Sequence, residues 1–225
     1  MADVQHKDIV DPNIHEPKGV AYASAGSVYT ADGSGSGSWE AAVTSSATNR
    51  VVYTASGSWT APEGVTSIGV WVVGRGGSAA SDGGVNLRPQ GGGGGGAAWK
   101  RYTDIVPGTS YSFTIDSSKS QFRDMYATVG ANGSRVASAS LSAAPGTGTG
   151  GDINIQGGYG HTTNFSSTPN YGGGGGSGAG PWGGSGGPGS PTSSAVGGCN
   201  YGGGGGGSVG GSGGAGGSGA VIIEW

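Results

Sequence analysis

Uninterrupted glycine runs at 91–96, 172–176 and 202–207 limit what this chain can fold into more than any other feature. Between residues 171 and 219, 27 of 49 positions are glycine. Such a stretch has almost no side chain to bury. Each glycine also costs roughly 0.5–1 kcal/mol more than alanine to order, because it gives up more backbone freedom. Hydrophobic burial cannot offset a penalty of that kind, so the runs are either slack or held by something else. A collagen triple helix needs glycine at every third position with abundant proline, and the runs have neither. Two readings remain: a flexible Gly/Ser tether, or a packed array of polyglycine-II-like helices. In the array, extended chains turning once every three residues point N–H and C=O groups outward to satisfy one another, each bond contributing about 1 kcal/mol net. Non-glycine residues would then be confined to faces, ends and turns, with Tyr159, Tyr171, Trp182 and Tyr201 as caps.

A conventional β signal occupies the region before the densest glycine. Segments 51–54, 67–73, 97–106 and 111–115 are rich in β-branched and aromatic residues and are separated by Pro62-Glu-Gly64, a glycine insert and Pro107-Gly108. In Tyr111-Ser-Phe-Thr-Ile115 apolar and polar residues alternate strictly, the mark of a strand with one buried face. Weaker strands are expected at 126–129, 135–141 and 152–155. Trp71 and Trp99 read as packing residues. The last six residues, Ala-Val-Ile-Ile-Glu-Trp225, form a closing strand that brings the chain back to the β domain, making the glycine region an insertion between paired strands. The expected fold is mainly β: an extended N-terminal arm, then a small β-sandwich-like domain with an inserted glycine-rich, polyglycine-II-type region. The domains are 1–48, an anchoring arm with a hairpin, and 49–225, with the densest tracts at 172–219 and the closing strand at 220–225.

The arm mixes charge with isolated apolar residues. Pro12 and Pro17 bias Asp11 and Glu16 toward extended backbone, and no helical period emerges. Ser27-Val-Tyr-Thr-Ala followed by Asp-Gly and a return ending at Trp39 reads as a hairpin. Ile9, Asp11, Pro12, Ile14, His15, Glu16, Pro17, Lys18, Tyr29 and Trp39 are the candidate anchoring residues.

Several chemistries are not supported. The formal charge is −3 and the ten Lys and Arg form no cluster, so nucleic acid is not an expected partner. A single cysteine excludes a disulfide framework within the chain. His6, His15 and His161 have no metal-ligand spacing. Gly91–Gly96 lacks the Gly-Lys-Ser/Thr ending of a phosphate loop, and no Ser, His and acid set sits on a recognisable elbow. No enzyme activity, metal or cofactor is expected. No apolar stretch is long enough to span a bilayer, and the start has no signal-peptide core, so the chain is expected to be made as a soluble intracellular product. The functional candidates are the polar loops 78–90, 117–123, 161–170 and 191–200, with Arg75, Arg88, Tyr171, Trp182 and Tyr201 as candidate receptor-facing residues.

The ordered pieces Trp59-Thr-Ala-Pro-Glu-Gly-Val-Thr-Ser-Ile-Gly-Val-Trp-Val-Val-Gly74, Gly91–Ala98, Val106-Pro-Gly-Thr-Ser-Tyr-Ser-Phe-Thr-Ile115 and Gly-Ala-Val-Ile-Ile-Glu-Trp225 resemble the glycine-rich domain at the ends of phage tail-fibre and other virion proteins. The glycine runs with polar turns are similar to the polyglycine-II sandwich of T-even-type fibre-tip adhesins, whose loops recognise the host receptor. The opening Asp8-Ile-Val-Asp-Pro-Asn-Ile-His-Glu-Pro-Lys-Gly-Val20, with the segment 27–39, looks like the leader of small phage head-fibre and capsid-decoration proteins. The resemblance implies a virion-surface protein, a capsid decoration or head fibre anchored by its arm. The glycine domain would then be displayed for contact with a bacterial surface glycan or outer-membrane protein. It also implies a homotrimer whose partners are phage capsid proteins. The alternative is a tail-fibre tip adhesin, held by tail or fibre proteins.

Overall fold

A computed structural model describes residues 27–31, 37–41, 49–81, 88–136, 142–162 and 172–225. The chain divides into two units, Met1–Ser46 and Ala47–Trp225. In the first, β1 (Ser27–Ala31) and β2 (Gly37–Ala41) form the expected antiparallel hairpin, with Tyr29 opposite Trp39. Alternation puts these two rings on one half-buried face while Val28, Thr30, Ser38 and Glu40 are exposed on the other. The rings meet edge to face, with centroids 5.4 Å apart, a geometry that the π quadrupole favours.

The second unit is a β-sandwich continued by a lattice of extended helices. One sheet runs β13 (Ile153–Ile155), β7 (Ala97–Tyr102), β5 (Ile68–Val73), β14 (Ala220–Glu224), β3 (Arg50–Tyr53). The other runs β12 (Gly148–Thr149), β10 (Met125–Thr128), β9 (Lys119–Phe122), β8 (Ser110–Ile115), β4 (Gly57–Thr60). Every pairing is antiparallel. Val70, Val72, Val221 and Ile223 from the first sheet meet Trp59, Phe113, Phe122 and Met125 from the second in one buried cluster. As expected, β14 closes the chain back into the sheet, between β3 and β5. The strands β4, β9 and β12 were not expected. Segment 117–123, expected as a functional loop, contains β9, whose Ser120 and Phe122 are fully buried.

Beyond the strand ends the backbone changes its hydrogen-bonding partners with a period of three. The N–H groups of Gln90, Gly93 and Gly96 donate to Ser134, Ala131 and Thr128; those of Gly91 and Gly94 to His161 and Gly158; those of Gly92 and Gly95 to Gly205 and Gly202. The carbonyls of the same segment accept from Ala80, Gly77 and Gly74, from Gly176 and Ala179, and from Gly146, and that of Pro89 just before it accepts from Gly173. Segment 90–96 is therefore enclosed by 74–80, 129–134, 142–147, 157–161, 172–178 and 202–208, which alternately accept from it and donate to it. Segment 202–208 is enclosed in the same way by 74–80, 90–96, 172–178, 183–190, 195–199 and 212–218. The result is a hexagonal patch in three layers: 129–134, 74–80 and 212–218; then 142–147, 90–96, 202–208 and 195–199; then 157–161, 172–178 and 183–190.

This is the polyglycine-II arrangement, and its extent differs from the expectation. The tracts at 172–219 supply only half of it. Segments 74–80, 129–134, 142–147 and 157–161, expected as loops or weak strands, complete the ring around 90–96. Six lattice segments are direct continuations of β5, β7, β10, β12, β13 and β14, so lattice and sandwich form one body. A short pairing of β6 (Arg88–Pro89) with β11 (Arg135–Val136) lies at the far end of the lattice. No helix among the described residues is long and apolar enough to cross a membrane.

Candidate functional site

The second unit has two unlike ends. At the base, away from the lattice, Asn49 and Trp225 exchange backbone hydrogen bonds, so the chain enters the body there and also ends there. The two-residue turn between β9 and β10 lies at this end as well. Arg123 takes a positive φ of 50°, a conformation that costs an L-residue roughly 1–2 kcal/mol. Its guanidinium makes a two-pronged bond to Asp104 at 2.8 and 2.7 Å and lies 4.8 Å from the Tyr102 ring centroid. Asp124 accepts from Lys100 and from the Tyr102 hydroxyl. The Arg123 hydrogen bonds hold Asp104 below the usual carboxylate range, and Lys100 does the same for Asp124. Burial, reinforced by Asp124, pushes the Tyr102 phenol upward. The cluster ties a strained turn to its neighbours, and each of its carboxylates has a cationic partner.

At the far, distal end every lattice segment either turns or leaves the described residues. Ser81 and Arg88, Val136 and Ser142, and Thr162 and Gly172 are the points where the chain departs and returns. Short polar side chains finish the lattice here. Ser208 Oγ donates to the Ser193 carbonyl and accepts from Gly211 N–H; Ser190 and Ser193 hydroxyls lie 2.9 Å apart. Gln90, 3% exposed, uses Oε1 to accept from both the backbone and the hydroxyl of Ser134. Arg135 donates to the Ser81 carbonyl. These bonds occupy main-chain groups that the lattice leaves at its end, so serine serves here the purpose that caps serve on α-helices.

The candidate receptor-facing residues do not converge. Arg88 belongs to the distal end. Arg75 stands just beyond β5, on a cleft of about 330 Å³ lined also by Ser78, Ser117 and Asn132. Trp182 and Tyr201 lie at the seam between sandwich and lattice, packed against Val73, Ala97, Ala179, Ala220 and Ile222 in a second hydrophobic cluster. Both therefore cap, as expected of them; Tyr159 is 53% exposed on a lattice rim. Tyr171 lies outside the described residues. So do the anchoring candidates Ile9, Asp11, Pro12, Ile14, His15, Glu16, Pro17 and Lys18, whereas Tyr29 and Trp39 are brought together across the hairpin. Of the polar loops, 78–81 continues a lattice segment, and 195–199 is one. Serine at the distal ends of the rows was the site feature missed, and its sequence signal is a serine at the distal end of a glycine-rich row: Ser190, Ser208 and Ser212.

Among the described residues no group of three or more His, Cys, Asp or Glu could hold a metal ion. No protein-family model matches the chain, and no curated protein matches it.

Proposed function

We propose that the chain is a structural protein of a bacteriophage particle surface, a capsid decoration or head fibre, rather than an enzyme. In this reading residues 1–48 dock on the particle and the glycine lattice is the displayed body, with its distal turns facing a bacterial surface. The observation that carries it is the opposition of the two ends. The arm joins at the base, beside Asn49, while the turns gather at the other end of a lattice about 20 Å long, at roughly 3.1 Å per residue over six or seven residues. An arm joined at one pole and polar turns at the other suit a pillar fixed at its foot.

The test is a particle carrying a chain that lacks residues 1–48. Loss of incorporation, with residues 49–225 still folded, is the expected result. Particles that retain the truncated chain at the full level overturn the anchor assignment. Copy number in intact particles then discriminates between sites: hundreds of copies fit a head protein, and a few to a few dozen fit a tail-fibre tip.

A further inference from the structure

The outer face of the β13-β7-β5-β14-β3 sheet carries a row of side chains set by strand register. Val52, Ile222, Trp71, Trp99 and Ile153 stand opposite one another on consecutive strands. The next row toward the lattice is closed over by the 178–183 turn. On the β3 and β14 side Ile222 is fully buried beneath the cluster that includes Trp182, whose ring lies 4.5 Å from the Arg50 guanidinium. On the other side the turn also reaches Trp71, where a Cβ on Gly180 would stand 3.2 Å from ring carbon Cζ3, while Trp99 and Ile153 lie beyond it. Trp71 and Trp99 are half-buried, Ile153 is 46% exposed, and Trp99 belongs to neither hydrophobic cluster.

Trp99 is held flat by a gap in its neighbour. A Cβ on Gly69 of β5 would stand 3.3 Å from Trp99 Nε1 and 3.7–3.8 Å from two ring carbons. The indole therefore lies across bare backbone with its outer face toward solvent. The Trp71 ring follows at 6.4 Å, tilted by 47°. Around them are charges of both signs: Arg101 donates from its side chain to Ser67 and from its backbone to Asp152, and Glu224 and Arg50 close the other edge.

We propose that the Trp99 end of this row is a binding platform for a neutral hexopyranose chain, with Trp99 stacking on a sugar ring and the uncovered edge of Trp71 against the next. The C–H face of a pyranose is apolar and fits the electron-rich face of an indole. Its hydroxyl edges remain free to hydrogen-bond Arg101, Asp152 and Glu224, and a rim of mixed charge favours an uncharged ligand. A protein partner fits less well. The uncovered part of the row spans three strands at about 4.8 Å spacing and is one to two residues deep, roughly 100–150 Å² against the roughly 800 Å² per partner of a stable interface. The proposal does not rest on the virion reading, because it concerns the purified chain.

The test titrates the full-length chain with hexaoses of glucose, galactose and N-acetylglucosamine, read by calorimetry and tryptophan fluorescence. Saturable binding of at least one, weakened tenfold or more by Trp99→Ala with the melting temperature unchanged, is the expected result, and Tyr159→Ala binds as the parent does. A bound sugar also shields Trp99 from N-bromosuccinimide, a readout that needs no variant. Failure of every hexaose to bind, or equal binding by Trp99→Ala, overturns the proposal. So does a drop in oligomeric state on Trp99→Ala, which would make the face a contact between copies.

Discussion

The sandwich and the lattice are held together by opposite means. Between the sheets the stabilising material is side chain: Phe122, Met125, Ile68 and Ile223 are closed off from water, and the backbone merely spaces them. In the lattice the stabilising material is backbone, and the side chain is what must be kept out. A Cβ built on Gly93 would lie 2.1 Å from the Ala144 carbonyl oxygen, and one on Gly204 would lie 2.1 Å from that of Gly92. One half fails when a methyl group is removed and the other when one is added. Burial on its own therefore does not reveal what a position contributes: Gly93 and Phe122 are both buried, for unrelated reasons.

The widest separation between the two halves should come from adding methyl groups inside the lattice. Gly93→Ala and Gly204→Ala each force two main chains apart over several hydrogen bonds. The expected outcome is loss of amide protection across 90–96 and 202–208 in hydrogen exchange, with the sandwich strands still protected. Protection surviving in both segments would mean that close main-chain contact is not what orders them. Next in size is the mirror-image change, Phe122→Ala, expected to cost about 3–5 kcal/mol through the cavity it leaves, read from denaturant melts of the same protein.

A smaller effect of opposite sign is expected at Gly174. It is a lattice glycine whose added Cβ would meet nothing nearer than 3.9 Å, so Gly174→Ala should stabilise by about 0.4–1 kcal/mol by restricting the unfolded chain. A destabilised Gly174→Ala would show that the outer rows are as tightly enclosed as the inner ones. The smallest effect should be electrostatic and confined to the sandwich. Asp104, Asp116 and Asp124 have lowered pKa values when folded. Their contribution is complete above the ordinary aspartate value of about 4 and is lost as pH falls through the lowered values. Acid melts of Asp124→Asn should therefore lose part of the stability decline below about pH 4. The lattice amides, which have no titrating partner, should keep their protection across that range.

Sequence was most informative where one kind of force acts alone. The alternation at 111–115 and the apolar residues at 220–224 located β8 and β14, and the two six-glycine runs marked the enclosed segments 90–96 and 202–208. Only a residue with no side chain tolerates neighbours in every direction. The rim was harder to read. There one position in three points outward and can carry a side chain, so the signal thins to glycine pairs broken by a single residue, Gly183-Gly184 and Gly186-Gly187, Gly213-Gly214 and Gly216-Gly217, each of whose added Cβ atoms would meet neighbouring backbone. Burial along such a row runs exposed, half-buried, buried, as in Ser212, Gly213 and Gly214. A search for alternation or for solid glycine passes over that spacing. Strand β9 was missed for a different reason: Lys-Ser-Gln-Phe has one apolar residue, and its place comes from pairing Phe122 with Phe113 across the sheet.

An interior without side chains has a thermal consequence. The heat-capacity change on unfolding comes chiefly from apolar surface newly wetted by water, and the enclosed glycine rows hide very little of it. Melting the lattice should take up heat through broken main-chain hydrogen bonds while adding less to the heat capacity than its share of residues would suggest. Its stability curve is then flatter than that of the attached sandwich, and on cooling the sandwich, not the glycine lattice, is the part whose cohesion weakens first.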